Sequence, residues 1–177
     1  EAWPCRLKRL HLFNLLNLNL TDLGSLIRFR CHALEDLQLR NCSFLLTSNA
    51  KIFSSSLKKL ATVDGDYTVS EHKIFKLSIE APALVSLRLT DDASDPLVDM
   101  TEPHTLPTLI NASILLPWMN WIKQLNVLML SNVTTLHLLH FAVTVTFIYS
   151  VCIFLIYLEA FKDNKMTVHI CVSVVVQ

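Results

Sequence analysis

The sequence contains the residue types that do covalent and metal chemistry, but they are not spaced as a known site requires. The five cysteines include no C-x-x-C pair, and His137 and His140 lack the further ligands that a zinc site needs. No spacing of Ser, His and Asp marks a nucleophile beside its base. With two glycines, Gly24 and Gly65, the chain excludes a G-x-G-x-x-G loop, a phosphate loop and a nucleophile elbow. We therefore expect no catalytic residue, no cofactor and no metal, and we predict that the chain is not an enzyme.

Composition limits the classes of partner. The 15 Lys and Arg balance the 15 Asp and Glu, so net charge gives no reason to expect nucleic acid binding. Only 17% of residues are charged and the mean hydropathy is +0.44, which is more apolar than an ordinary soluble domain. The odd number of unpatterned cysteines favours reduced thiols in the cytoplasm or nucleus. Because the chain begins with Glu1 rather than Met, we expect a fragment of a longer protein.

A repeated apolar pattern predicts the fold. Six copies of apolar-x-x-apolar-x-apolar are separated by 23 to 27 residues, and only Thr62 among their 18 apolar positions fails the pattern. They begin at Leu7, Leu34, Leu57, Leu84, Leu109 and Val133. Leucine-rich repeats have this period, and each contributes one short strand. The sequence therefore predicts an α/β leucine-rich-repeat solenoid of about six irregular repeats. It would have a curved parallel sheet, short helices or loops outside it and an apolar C-terminal segment.

The same pattern predicts which side chains face a partner. Strand side chains alternate between faces, so the spaced leucines point into the core and the residues between them form a polar concave surface. We call this surface the candidate binding face. Its predicted members are Lys8, Arg9, His11, Glu35, Asp36, Gln38, Arg40, Lys58, Lys59, Ser86, Arg88, Thr90, Asn111, Ser113, Thr134, Thr135 and His137.

The segments between strands carry weaker signals. Residues 15–27 come closest to a helical period, and 118–130 could add a turn or two of helix. Cys42 stands where these repeats place Asn or Cys, so we predict a structural role in satisfying backbone groups at a turn.

Composition changes after Leu138, which divides the chain into a repeat domain (5–138) and an apolar tail (139–177). Residues 141–158 contain no charge, Pro or Gly, and 139–158 is long enough to cross a bilayer. Three interpretations stay open for the tail: a membrane span, a buried β-rich end, or translated non-coding sequence such as a retained intron.

Five phrases in fixed order resemble the leucine-rich region of plant F-box/leucine-rich-repeat proteins, the group that often ends in an FBD domain. They are CHALEDLQLRNCSF (31–44), SSSLKKL (54–60), IEAPALVSLRLTDD (79–92), LPTLINASILL (106–116) and LSNVTTLHL (130–138). In that family an F-box docks on the Skp-type adaptor of a cullin ubiquitin ligase, and the repeats recruit the substrate. The resemblance implies a protein substrate for the candidate binding face. It implies contact with a Skp-type adaptor only if an F-box lies upstream, because none precedes residue 5.

A rival interpretation is a membrane-anchored leucine-rich-repeat binding protein. Four N-x-S/T sequons, at Asn19, Asn41, Asn111 and Asn132, precede the possible span. Under this interpretation the protein would be located at a membrane rather than in the cytoplasm or nucleus.

Overall fold

The computed structural model describes residues 6–46, 49–69, 75–90, 98–99, 106–115, 132–140 and 167–172. These residues form mostly parallel β-sheet, wound as a solenoid, with one short helix. In chain order the elements are β1 (Arg9–Phe13), β2 (Leu18–Asn19), α1 (Leu20–Phe29), β3 (Asp36–Arg40), β4 (Ser43–Leu46), β5 (Ala50–Phe53), β6 (Lys59–Val63), β7 (Asp66–Val69), β8 (Phe75–Glu80), β9 (Ser86–Thr90), β10 (Val98–Asp99), β11 (Asn111–Leu115), β12 (Thr135–His140) and β13 (Thr167–Val172).

The main sheet contains a strand from every predicted repeat. Its order is β1-β3-β6-β9-β11-β12-β13, and every pairing is parallel. Parallel strands that are neighbours in space but not in the chain need a crossover between them, which the rest of each turn supplies. The predicted parallel-sheet solenoid is therefore confirmed at this level.

Two smaller parallel sheets, β2-β4-β7 and β5-β8-β10, cover the other sides of the solenoid. Three turns are complete in the described residues: β1-β2-α1, β3-β4-β5 and β6-β7-β8. We expected short helices or loops here, but apart from α1 the described elements on these sides are strands. In β5 the alternation explains this difference, because Ala50 and Ile52 are buried while Lys51 and Phe53 are exposed.

The interior is a stack of the spaced apolar residues. Leu34, Leu57 and Leu84 are each 0% exposed and occupy equivalent places before β3, β6 and β9. The next two inward positions are buried in the same way on β3, β6, β9 and β11, as is Leu136 on β12. Even Thr62, the exception to the pattern, is only 4% exposed. Since each turn covers its neighbour, burial falls off at β1, where Leu7 is 38% exposed. The predicted strand faces are therefore correct in the core.

Helix α1 forms where residues 15–27 suggested a helix, displaced to Leu20–Phe29. The Asn19 side chain caps it by accepting hydrogen bonds from the backbone N–H groups of Thr21 (2.9 Å) and Asp22 (3.4 Å). Leu20, Leu23 and Ile27 are buried. The helix thus takes the place in the first turn that strands take in the next two.

The corner after each of the first three main-sheet strands uses a left-handed residue. Asn14, Asn41 and Asp64 have φ of 55°, 50° and 53°, a conformation that Asn and Asp tolerate better than most residues. The Asn41 Nδ2 donates to Asn14 Oδ1 at 2.7 Å, which joins two turns. The buried Cys42 Sγ lies 3.4 Å from the carbonyl oxygen of Arg40 and 3.6 Å from that of Leu12, the structural role predicted for it.

The main sheet extends beyond the predicted boundary at Leu138. Strand β12 continues to His140, and β13 pairs with it in parallel from Thr167 to Val172. The leucine pattern predicts no repeat in residues 167–172. Residues 118–130, for which we predicted a turn or two of helix, and 141–158 of the predicted span lie outside the described residues. Among the residues that are described, no helix is long and apolar enough to cross a membrane.

Candidate protein-binding face

The candidate binding face is the outward side of the main sheet, and strand register arranges it in columns. One column runs Arg9, Asp36, Lys59, Ser86, Asn111, Thr135 and Thr167. The next runs His11, Gln38, Ala61, Arg88, Ser113, His137 and His169. Lys8, Glu35, Lys58 and Thr134 immediately precede their strands. Register therefore brings nearly all the predicted residues onto one surface.

Exposure supports that assignment for all predicted members except Thr90. The others are exposed or half-buried, whereas Thr90 is 7% exposed and its Oγ1 donates to the Thr62 carbonyl oxygen at 3.4 Å. Alternation along β9 had placed Thr90 on the surface with Arg88. Thr90 is therefore withdrawn from the exposed surface, because its side chain is covered and bonded to the neighbouring strand.

The prediction missed Thr167 and His169. The signal that could have revealed them is the pair of matching segments Thr135-Leu-His-Leu and Thr167-Val-His-Ile. The imidazoles of His137 and His169 stack, with centroids 4.6 Å apart and planes 10° from parallel. The strands in this part of the face, β11, β12 and β13, contain no Lys, Arg, Asp or Glu.

Glu35 is held between two lysines from neighbouring turns. Its Oε2 accepts a hydrogen bond from Lys58 Nζ at 2.9 Å, and its Oε1 lies 3.3 Å from Lys8 Nζ. The hydrogen bond from Lys58, followed by that from Lys8, lowers the pKa of the Glu35 carboxyl below its ordinary value of 4.5. Glu35 therefore stays ionised and paired at neutral pH.

Asp36 is the second carboxylate of the face and it is also engaged. His11 Nε2 lies 3.4 Å from one carboxylate oxygen, and Gln38 Nε2 donates to the other at 3.2 Å. Arg40 in turn donates to Gln38 Oε1 at 3.3 Å. Both carboxylates therefore have partners within the face.

The cations outnumber these carboxylates. The candidate binding face has six cations and two acids, which gives it an excess of positive charge on a chain with no net charge. The cations are Lys8, Arg9, Arg40, Lys58, Lys59 and Arg88. Arg9, Lys59 and Arg88 have no ion pair within the described residues. Lys59 and Arg88 stand on adjacent strands, and the small side chain of Ala61 lies between Gln38 and Arg88 in its column.

A separate groove of about 640 Å³ opens in the first turn. It is lined mainly by leucines of β1, β2, α1 and the loop between β1 and β2, and Leu16 in that loop is 81% exposed. Asp22 is the ionisable side chain in its lining. Among the described residues no group of three or more His, Cys, Asp or Glu side chains could hold a metal ion. The arrangement as a whole offers recognition by charge and hydrogen bonding.

Comparison with known proteins identifies no relative. No protein-family model, no curated protein and no solved structure matches the chain.

Proposed function

We propose that this protein is a non-enzymatic binding module that holds a segment of another protein on its candidate binding face. The observation that carries the proposal is the register-aligned polar surface, whose side chains are exposed while the alternate residues of the same strands are buried. A sheet of hydrogen-bonded strands holds such side chains at fixed spacing, which reduces the ordering cost of binding. The proposal includes no cofactor, no metal and no nucleic acid partner.

The finer form of the proposal is a leucine-rich-repeat module that recruits the substrate of a cullin ubiquitin ligase in the cytoplasm or nucleus. The family-like phrases support it through their positions. The segments IEAPALVSLRL and LPTLINASI both contain a turn followed by a main-sheet strand, and both occupy the same place in successive turns. Within these turns the N–H of Leu84 donates to the carbonyl of Ala81, and that of Leu109 to the carbonyl of Leu106.

Site-specific photo-crosslinking tests the binding surface. A photoreactive phenylalanine analogue at Ser113, on the candidate binding face, is compared with one at Lys51, an exposed position on β5. We expect discrete protein adducts from the Ser113 position and none from the Lys51 position. Adducts confined to Lys51 would contradict the proposal.

A pull-down with a Skp-type adaptor tests the finer form. We expect this chain alone to fail and a chain with an F-box joined upstream to succeed. Direct binding of the adaptor by the present residues would contradict the assignment of the repeats to substrate recruitment.

The rival function, a membrane-anchored binding protein, is supported by the apolar residues 141–158 and the four sequons. Two sequon amides already act between turns, since Asn41 donates to Asn14 Oδ1 and Asn132 Nδ2 donates to the Pro107 carbonyl at 2.8 Å. A glycan would compete with these contacts, which favours the first function. A glycosidase-sensitive mass shift together with recovery in the membrane fraction would decide for the rival.

A further inference from the structure

We propose that the segment bound by the candidate binding face is acidic, and that Lys59 and Arg88 anchor its carboxylates above Ala61. This inference rests on the proposed function and specifies the chemistry of the partner. It follows from how charge is distributed among residues that the strand register brings together.

The two acids of the face already have partners within it. Glu35 lies between Lys8 and Lys58, with contacts of 3.3 and 2.9 Å. Asp36 contacts His11 at 3.4 Å and accepts from Gln38 at 3.2 Å. Asp36 is the register partner of Lys59 but makes no ion pair with it. The six cations exceed the two carboxylates by four, so the face keeps an excess of positive charge with both acids ionised.

Two cations of the face, Lys59 and Arg88, lie close to each other in the sheet. Lys59 begins β6, and Arg88 lies on the adjacent β9, displaced by one step of the same face. Both are exposed, and within the described residues neither makes an ion pair. Like charges at diagonal positions of adjacent strands repel each other, and a bound anion relieves that repulsion. The patch is thus complementary to negative charge although the whole chain is neutral.

The residue beside these two cations, Ala61, has a small side chain. Ala61 stands between Gln38 and Arg88 in its column and follows Lys59 on the same face of β6. Its short side chain has an amide, a guanidinium and an ammonium as neighbours, all of which can donate to a carboxylate. Carboxylates of an extended segment can therefore approach both cations from above Ala61.

The size of the patch defines the segment. All six cations lie on or immediately before strands β1, β3, β6 and β9, which lie side by side. Neighbouring strands lie about 4.8 Å apart and an extended chain rises about 3.3 Å per residue, so a segment of about five residues spans the four strands. The uncharged continuation through Ser113 and His137 suits polar residues beyond that acidic stretch.

Fluorescence anisotropy on the full chain tests the inference. The probe is a short fluorescein-labelled peptide of alternating aspartate and serine, and the matched control peptide alternates asparagine and serine. We expect the acidic peptide alone to bind and its affinity to fall as salt is added, because exposed charges are screened. Lys59→Glu combined with Arg88→Glu should weaken binding by at least about tenfold and should allow a lysine-serine peptide to bind.

The control variant carries Arg28→Glu in α1 and Arg30→Glu at its C-cap, which change the net charge equally at exposed positions. We expect it to bind the acidic peptide within about twofold of the unaltered chain, because α1 is not part of the main sheet. Circular dichroism identifies any variant that has not folded.

Three results would overturn the inference: equal binding of the acidic and asparagine peptides, equal weakening by the α1 variant, or stronger competition by an oligonucleotide than by the acidic peptide. Each leaves the proposed function standing if crosslinks still form from Ser113. Loss of those crosslinks would instead reject the proposed function itself.

Discussion

At the scale of single residues, the candidate binding face combines side chains that are fixed by partners with side chains that are not. Glu35 and Asp36 contact lysine and histidine groups from neighbouring turns, and Asp36 also accepts a hydrogen bond from Gln38 on its own strand. Such contacts between exposed groups contribute little to stability, but they hold side chains in one arrangement. The fixed groups thereby define the surface around Lys59 and Arg88, which make no ion pair with any residue that the structure describes.

The pKa of Glu35 gives a direct test of this network. Lys58→Met should raise the Glu35 pKa toward 4.5, because it removes the largest of the contacts that lower it. Lys59→Met is the control, since Lys59 is an adjacent exposed lysine whose ammonium forms no ion pair with the Glu35 carboxylate. Its backbone N–H donates to the Glu35 carbonyl oxygen at 3.0 Å, and methionine keeps that contact. Carboxyl chemical shifts measured by NMR as a function of pH report the value.

The lowered pKa of Glu35 also makes the stability of the protein depend on pH. A carboxyl whose folded pKa lies below its unfolded value stabilises the protein above the unfolded value, here about 4.5, and this contribution disappears as pH falls through the lower folded pKa. The unaltered protein should therefore lose more stability on acidification below pH 4.5 than Lys58→Met does. Identical Glu35 titrations in the two lysine variants would contradict the pairing.

The two faces of β9 give the second test at this scale. Leu87 is 3% exposed and its neighbour Arg88 is exposed. Leu87→Asp places a carboxylate in the stacked core and should lower the free energy of unfolding by about 3–5 kcal/mol, whereas Arg88→Asp should change it by no more than about 0.5 kcal/mol. Urea unfolding measures both values. Similar losses in the two variants would mean that the strand faces are assigned wrongly.

At the scale of elements, helix α1 fits its neighbours because of one glycine. A Cβ at Gly24 would clash with the backbone carbonyl oxygen of Lys51 on β5. Glycine in the middle of a helix ordinarily costs stability relative to alanine. Here it allows the helix backbone to lie against a strand, so that Leu23 and Ile27 reach the core.

Gly24→Ala should therefore be destabilising, by about 1–3 kcal/mol, because backbone must move to admit the methyl group. Ser25→Ala is the matched control on the exposed side of α1, where alanine should be neutral or gain a few tenths of a kcal/mol. Thermal unfolding followed by circular dichroism compares the two. A stabilised Gly24→Ala protein would show that α1 does not pack against β5 as described.

The leucine spacing predicted the main-sheet strands because the period that buries Leu37, Leu60 and Leu87 also sets strand and face. It could not predict which charges meet. The contact of Glu35 with Lys58 depends on strand register, and turns of 23 to 27 residues allow several registers. Nor could it predict that Thr90 is buried, since alternation alone places that residue outside.

At the scale of the whole molecule, the sheet ends differently from what the sequence predicted. Strand β13 pairs with β12 over six residues, from Thr135 with Thr167 to His140 with Val172. The repeat pattern missed it for two reasons. Lys165 stands where the first apolar residue should be, and the step from Leu136 to Val168 is 32 residues, longer than the other steps.

This pairing changes the expected effect of ending the chain near Leu138. From the sequence, residues 5–138 form a complete domain, and a chain ending at Leu138 should be soluble. In the structure β12 is an interior strand, bonded to β11 on one side and β13 on the other. Removing β13 leaves a row of unpaired backbone groups on β12, and such an exposed edge promotes association with other chains.

A chain ending at His140 should therefore be less stable than the full chain by more than about 1 kcal/mol, which corresponds to about 2–4 °C in Tm for a protein of this size. It should also scatter more light on concentration. Thr167→Pro in the full chain tests the same pairing without truncation, because it removes the N–H that donates to the Thr134 carbonyl at 2.7 Å. Both variants should be less stable than the full chain, since both remove contacts between neighbouring turns of the solenoid. Equal stability and solubility of all three proteins would restore the boundary at Leu138 and exclude β13 from the cooperative fold.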